Sequence, residues 1–270
     1  MRFYDTHAHL DSGDFSSDLP QVIERARAAG IDRIITIGTD LASSEQAVRL
    51  SEQYDDLFAA VGWHPNDAST APDDVRAVLR PLARHPKVVA IGEIGLDYYR
   101  LPGRPPREQL PENQPRIEKQ KNLFRQQLEL AIELGLNCVV HQRDALEDTL
   151  ALFGSYANRT RAVFHCYAND QPTLERILAL GSLVSYTGIL TYKTADNVRQ
   201  CLTATPDGQF MLETDCPYLS PVPYRGQRCE PAFVRTTAEA AAALRRCSLE
   251  HLSAITCATA DAFFRRGTPR

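Results

Sequence analysis

The 270-residue chain carries 43% apolar and 24% charged side chains, the composition of a folded globular protein and not of a disordered or fibrous one. A formal charge of −4 and a pI near 6.0 exclude a broad positive field, so a nucleic acid partner would need a local basic patch or a bound cation. No signal-peptide pattern opens the sequence, no run reaches the roughly 20 apolar residues of a membrane span, and the seven scattered cysteines form no CxxC pair, so a cytoplasmic location with free thiols and no membrane partner is expected.

Short β-branched or apolar runs alternate along the chain with longer segments of helical periodicity. Strands are predicted over residues 2–7, 33–38, 57–62, 88–93, 137–141, 161–165, 182–187 and 209–214. Helical segments separate them, and the one beginning "IEKQKNLFRQQLELAIELG" carries Phe124, Leu128, Ala131 and Leu134 on one stripe expected to be buried. Residues 100–116 hold five prolines in seventeen positions and read as a long loop after the fourth strand; residues 217–231 read as a second Pro- and Gly-rich loop after the eighth. Two helices close the chain, one around "AFVRTTAEAAAALRRC" and one over residues 249–266, with Ser248 as N-cap of the second. Eight strand–helix units predict an α/β fold of the (β/α)8 TIM-barrel type with additional C-terminal helices, spanning 1–270 as one domain; a doubly wound open sheet is the alternative.

In such a barrel, chemistry collects at the C-terminal ends of the strands. Polar groups do gather there: His7 and His9 after the first run, His64 after the third, Glu93 and Asp97 around the fourth, His141 and Arg143 after the fifth, His165 after the sixth, Glu213 and Asp215 after the eighth. Residues two apart on extended chain point the same way, so His7 and His9 can address one ion if the extended backbone reaches residue 9. Adding Glu93, His141, His165 and Asp215 gives four imidazoles and two carboxylates, more than one tetrahedral ion needs, which implies two ions with Glu93 as the natural bridge. Imidazole-rich ligation favours zinc, manganese or iron and still admits magnesium. Asp5 reads as a supporting carboxylate, Glu213 equally as a ligand or a supporting carboxylate, Trp63 as packing, and Cys166 as a buried thiol.

The pieces "DTHAHLD", "GWHP", "GEIGLDYYR", "VVHQRDA", "FHCY", "SYTGIL", "LETDCPYLSP" and "PYRGQRCEP", in this order from residue 5 to 231, resemble the TatD family of metal-dependent hydrolases. The resemblance implies a distorted TIM barrel with a two-metal centre and nuclease action on DNA, often 3′–5′ exonucleolytic, so single-stranded DNA or 3′ ends are the expected partner; no protein partner is inferred. By position it makes His7, His9 and Asp215 ligands of one divalent ion (zinc, magnesium or manganese), His141 and His165 ligands of a second, and Glu93 the bridge. Glu93 and Asp215 are then the catalytic carboxylates, Asp215 orienting the attacking water or accepting its proton, and His64 and Arg143 lie near the scissile phosphate. The chain departs from the family pattern at Asn169 and Asp170, where the added carboxylate would either repel a phosphate chain or help hold a metal, and at Cys229. Arg100, Arg143, Lys193, Arg225 and Arg228 fall in or near mouth loops and offer a local positive patch. Fold and metal alone leave a second enzyme class open, a metal-dependent amide, ester or lactone hydrolase. A nucleic acid-binding scaffold with a decayed site is the non-enzyme rival, and the retention of all six ligand residues argues against it.

Overall fold

The computed structural model describes residues 1–264. Its eight strands are β1 (Phe3–Ala8), β2 (Ile31–Ile37), β3 (Leu57–Val61), β4 (Val88–Asp97), β5 (Asn137–Arg143), β6 (Ala162–Phe164), β7 (Leu183–Tyr186) and β8 (Phe210–Leu212). They pair in parallel and in sequence order, and between consecutive strands run α1 (Leu19–Ala28), α2 (Leu41–Gln53), α3 (Arg76–Ala83), α4 (Gln114–Leu134), α5 (Leu146–Gly154), α6 (Gln171–Ala179) and α7 (Asp196–Ala204). α8 (Val234–Arg245) and α9 (Leu249–Phe263) follow β8. β1 and β8 share no ladder, but a parallel bridge between Ala8 and Cys216 joins their ends and closes the sheet into a distorted barrel rather than leaving it open and doubly wound.

Strand periodicity divides the apolar side chains into two sets. One cluster takes residues from every strand, including Tyr4, Ile35, Ala60, Val89, Val139, Val163, Leu183 and Met211, and is the barrel interior. Cys257, Ala260 and Phe263 of α9 belong to this cluster, so the last helix plugs the end of the barrel where the strands begin. Residues of opposite parity, such as Phe3, Ile34, Leu57 and Phe164, face the surrounding helices. Phe124, Leu128 and Ala131 of α4 are buried there, and Leu134 packs partly buried against the same cluster.

The structure moves several boundaries. β4 continues four residues past Glu93, with a register irregularity against β5 between Ile91 and Ile94 that turns the strand locally. α4 starts at Gln114, since a proline in the first helical turn costs no hydrogen bond, and the loop after β4 is shorter than its prolines suggested. Ser248 caps α9 by accepting the N–H of His251. Arg265 and Arg266, expected in that helix, lie outside the described residues. Among the described residues no helix is long and apolar enough to cross a membrane.

Candidate metal centre

The hydrogen bonds that close the barrel also assemble the first half of the site. His9 lies one residue beyond β1, where its N–H donates to Cys216 O (2.8 Å), and Asp215 N–H donates to His7 O (2.9 Å). These two bonds interleave the ends of β1 and β8 and bring His7, His9 and Asp215 to one point. The Nε2 atoms of His7 and His9 are 3.1 Å apart, and Asp215 Oδ1 lies 3.6 and 3.4 Å from them. Asp215 holds φ 60°, a left-handed backbone that aspartate and asparagine tolerate better than most residues and that recurs at functional sites.

Asp5 is the fastener beneath this group. Fully buried, it accepts the N–H groups of His7 (3.3 Å) and Thr214 (2.9 Å) and the Thr214 hydroxyl. Burial pushes its carboxyl up to about 8. It supports the ligands from behind, as expected, and joins none of the groups able to hold an ion.

Glu93, 3% exposed, stands at the centre and divides its oxygens. Oε2 lies 3.5 Å from His7 Nε2 and 3.7 Å from His9 Nε2. Oε1 lies 2.9 Å from His141 Nδ1, 2.8 Å from His165 Nε2 and 3.4 Å from His64 Nε2. Burial alone would raise its pKa, but the surrounding His165, His64 and His141 rings hold the carboxyl well below its usual range. Burial likewise opposes charge on His165, His141 and His9, yet the carboxylates raise all three, His9 to about 9 through Asp215 and Glu93. His7 goes the other way, lowered by burial and by its neighbour His165.

Backbone and carboxylate partners fix which nitrogen each ring offers. His9 Nδ1 donates to Ile37 O (3.2 Å), which leaves the neutral Nε2 lone pair facing the site. His141 Nε2 is held by Asp97 Oδ2 (3.2 Å), so Nδ1 faces Glu93. His64 differs: its Nδ1 accepts the Asn66 N–H (3.0 Å), so the neutral ring carries its proton on Nε2 and points a donor into the site. Proximity alone groups His64 with Glu93 and His141 as possible ligands; the tautomer makes it a hydrogen-bond donor instead. Two further groups are compatible with an ion, His7–His9–Asp215 and His7–His165–Glu213. The donor set fits divalent cations: imidazole nitrogens and carboxylates, the groups such ions take, converge on Glu93 from both sides.

All six residues anticipated as ligands therefore converge, with His64 beside them. The supporting residues were the harder part. Asp97 accepts Asn66 Nδ2 (3.1 Å) as well as His141, and Gln120 of α4 bonds both its N–H and its carbonyl. Its separation from Glu93, an even number of residues along a strand, was the available signal. Glu213 sits closer to the centre than a purely structural role requires: Oε1 accepts the Cys166 N–H (2.7 Å) and lies 3.6 Å from His165 Nδ1. Trp63 packs as expected, buried with its indole N–H on Asp67 O. Cys166 is only partly buried. The Asp170 carboxylate caps α6 through Thr173 N–H (3.1 Å) and belongs to none of the metal-compatible groups. Arg228 leaves the anticipated basic patch, because Asp18 binds both its terminal nitrogens at 2.8 Å. The Arg143 guanidinium lies 3.6 Å from the centre of the Tyr99 ring and makes no carboxylate pair among the described residues.

A family model described as "TatD related DNase" matches residues 4–265. The chain is 35% identical over 263 residues to the metal-dependent hydrolase YabD of Bacillus subtilis, covering 97% of this chain and 98% of that one. It is also 35% identical over 268 residues to the "3'-5' ssDNA/RNA exonuclease TatD" of Edwardsiella piscicida, again covering 97% and 98%. Among solved structures, YJJV, a TatD homologue from Escherichia coli K12, superposes with a TM-score of 0.87 at 28% identity over 97% of this chain and 98% of that one. This chain belongs to the TatD family of metal-dependent hydrolases.

Proposed function

We propose that this hydrolase cleaves phosphodiester bonds in DNA, acting 3′–5′ on single strands or 3′ ends with two divalent ions, zinc, magnesium or manganese. In this reading His7, His9 and Asp215 hold one ion, His141 and His165 the other, and Glu93 both. The observation that carries it is the division of Glu93, whose two oxygens face two separate sets of imidazoles. Divalent ions in such a set lower the pKa of a bound water and offset the negative charge of a phosphodiester.

The protein's own groups complete the chemistry. The Asp215 side chain is 15% exposed against 4% for Glu93, so it is the carboxylate open to the mouth, placed to orient the attacking water and accept its proton. His64 presents Nε2–H, a donor suited to a phosphoryl oxygen and to the charge that develops there. Arg143, two residues beyond His141 and without a carboxylate partner among the described residues, is available to a phosphate on the same rim. The name of the Edwardsiella relative supports nucleic acid as the substrate class.

The test is a substrate panel on protein reconstituted with each ion: 5′-labelled single-stranded DNA, duplex DNA, RNA, small phosphodiesters, and acyl esters, amides and lactones, with Asp215→Asn as control. Stepwise shortening of single strands from the 3′ end, abolished in the variant, is expected. Turnover confined to the acyl substrates would replace this reading with the carbonyl-hydrolase alternative.

A further inference from the structure

Among the described residues few large apolar side chains are exposed, and two tyrosines among them stand at the rim of the proposed metal centre. Tyr218 is 60% exposed and Tyr99 44%. Tyr218 follows Asp215 by three residues, and its ring meets the His9 ring edge-on at 6.3 Å between centroids. Tyr99 follows Asp97, the partner of His141, by two residues. One ring thus stands beside each half of the site.

Neither ring is loosely held. The Tyr218 N–H donates to Asp215 O (3.0 Å), and the next turn is tied down by Cys229 N–H to Pro217 O (3.0 Å). Gly188 packs so closely beneath that an added Cβ would lie 2.5 Å from Leu219 O. Tyr218 therefore projects into solvent from a fixed backbone, so binding on its ring need not order the loop that carries it. The Arg143 guanidinium stacks on Tyr99 and adds positive charge to the aromatic surface, while Arg107, 5.3 Å from the same ring, is paired with Asp144 (3.9 Å).

We infer that Tyr218 and the Tyr99–Arg143 stack are platforms for the bases of single-stranded nucleic acid, one on either side of the scissile phosphate. This deepens, and rests on, the phosphodiesterase reading. Exposed aromatic faces, one of them beside the unpaired Arg143, are the chemistry that single strands use, because every base offers a π-face and every linkage a charge. A duplex hides its base faces in the stack, so these platforms discriminate against it. They also account for strand binding by a chain whose net charge is −4.

The experiment pairs protein and substrate changes. A 5′-fluorescein hexadeoxyadenylate and its analogue with abasic residues throughout are bound to metal-free protein, followed by anisotropy, and turned over by Mn²⁺-reconstituted protein. Tyr218→Ala and Tyr99→Ala should each weaken binding and raise KM for the adenylate about 5- to 10-fold, at the low end of one base stack. Tyr218→Ala should leave abasic affinity and kcat nearly unchanged, Tyr99→Ala, which also frees Arg143, should lose more on the adenylate than on the abasic strand, and Tyr218→Trp should bind the adenylate at least as well as the native protein. Equal losses on both strands, or a loss in kcat alone, would overturn the platforms while leaving phosphodiester hydrolysis standing. Base-dependent binding without cleavage by any reconstituted form would do the reverse.

Discussion

Asp97→Asn isolates the link between a buried carboxylate and one half of the proposed metal centre. Asp97 Oδ2 now accepts from His141 Nε2 (3.2 Å) and Asn66 Nδ2 (3.1 Å), while Oδ1 accepts the Arg100 N–H (3.2 Å). Asparagine preserves the shape but must place its NH2 against one of these donors in either orientation. If the amide faces His141, that ring is driven to the tautomer with the proton on Nδ1, the nitrogen directed at Glu93. If it faces Arg100, that backbone N–H loses its acceptor. Loss of such an orienting partner typically costs 10–100-fold in metal affinity, or about 1.4–2.7 kcal/mol. Asp97 touches neither His7, His9 nor Asp215, so the loss should fall on one ion. Calorimetric titration of metal-free protein with Mn²⁺ should show one binding step weakened within that range and the other intact. Two unchanged steps, or two steps weakened by the same factor, would refute the tautomer argument.

Other consequences are open to measurement. His64→Gln should retain the full metal content by mass spectrometry yet lose on the order of 100-fold in turnover, as for one lost donor to a developing charge; loss of an ion would make His64 a ligand. Gly95→Ala should destabilise the fold by at least ~2 kcal/mol in urea, because Gly95 holds φ 136° and its Cβ would press on the His141 carbonyl; an unchanged midpoint would contradict this. Burial pushes the Cys138 thiol up to about 12, so the fold keeps a proton that the unfolded chain releases from about pH 9. This thiol's share of the stability should therefore be lost as pH rises from about 9 toward 12, at up to ~1.4 kcal/mol per pH unit, and Cys138→Ala should lessen the protein's alkaline slope by that share. An identical slope in the variant would place the thiol's titration elsewhere.

The barrel was legible because its strands are short, apolar and evenly interleaved with helices, and because parity along each strand repeats eight times. The candidate ligands were legible for a related reason: they sit at or near the ends of runs that read locally as strands, although β4 runs four residues past Glu93 and β5 two past His141. What stayed hidden depends on register between distant segments. That Asn66 reaches Asp97, that Glu213 reaches Cys166, and that Asp5 clamps Thr214 follow from how neighbouring strands slide against each other. The irregularity that lets β4 run past Glu93 to Asp97 belongs to pairing with β5 and leaves no local mark. Arg228 illustrates the same limit from the other side, since its loop position suggested the mouth and its partner Asp18 lies 210 residues away.

The central claim is a pair of ions sharing Glu93, and anomalous diffraction from crystals grown with Mn²⁺ tests it most directly. The account predicts two peaks about 3.5–4 Å apart, one among His7, His9 and Asp215, the other between His141 and His165, with a Glu93 oxygen on each. A single peak, or a second peak ligated without Glu93, would contradict it.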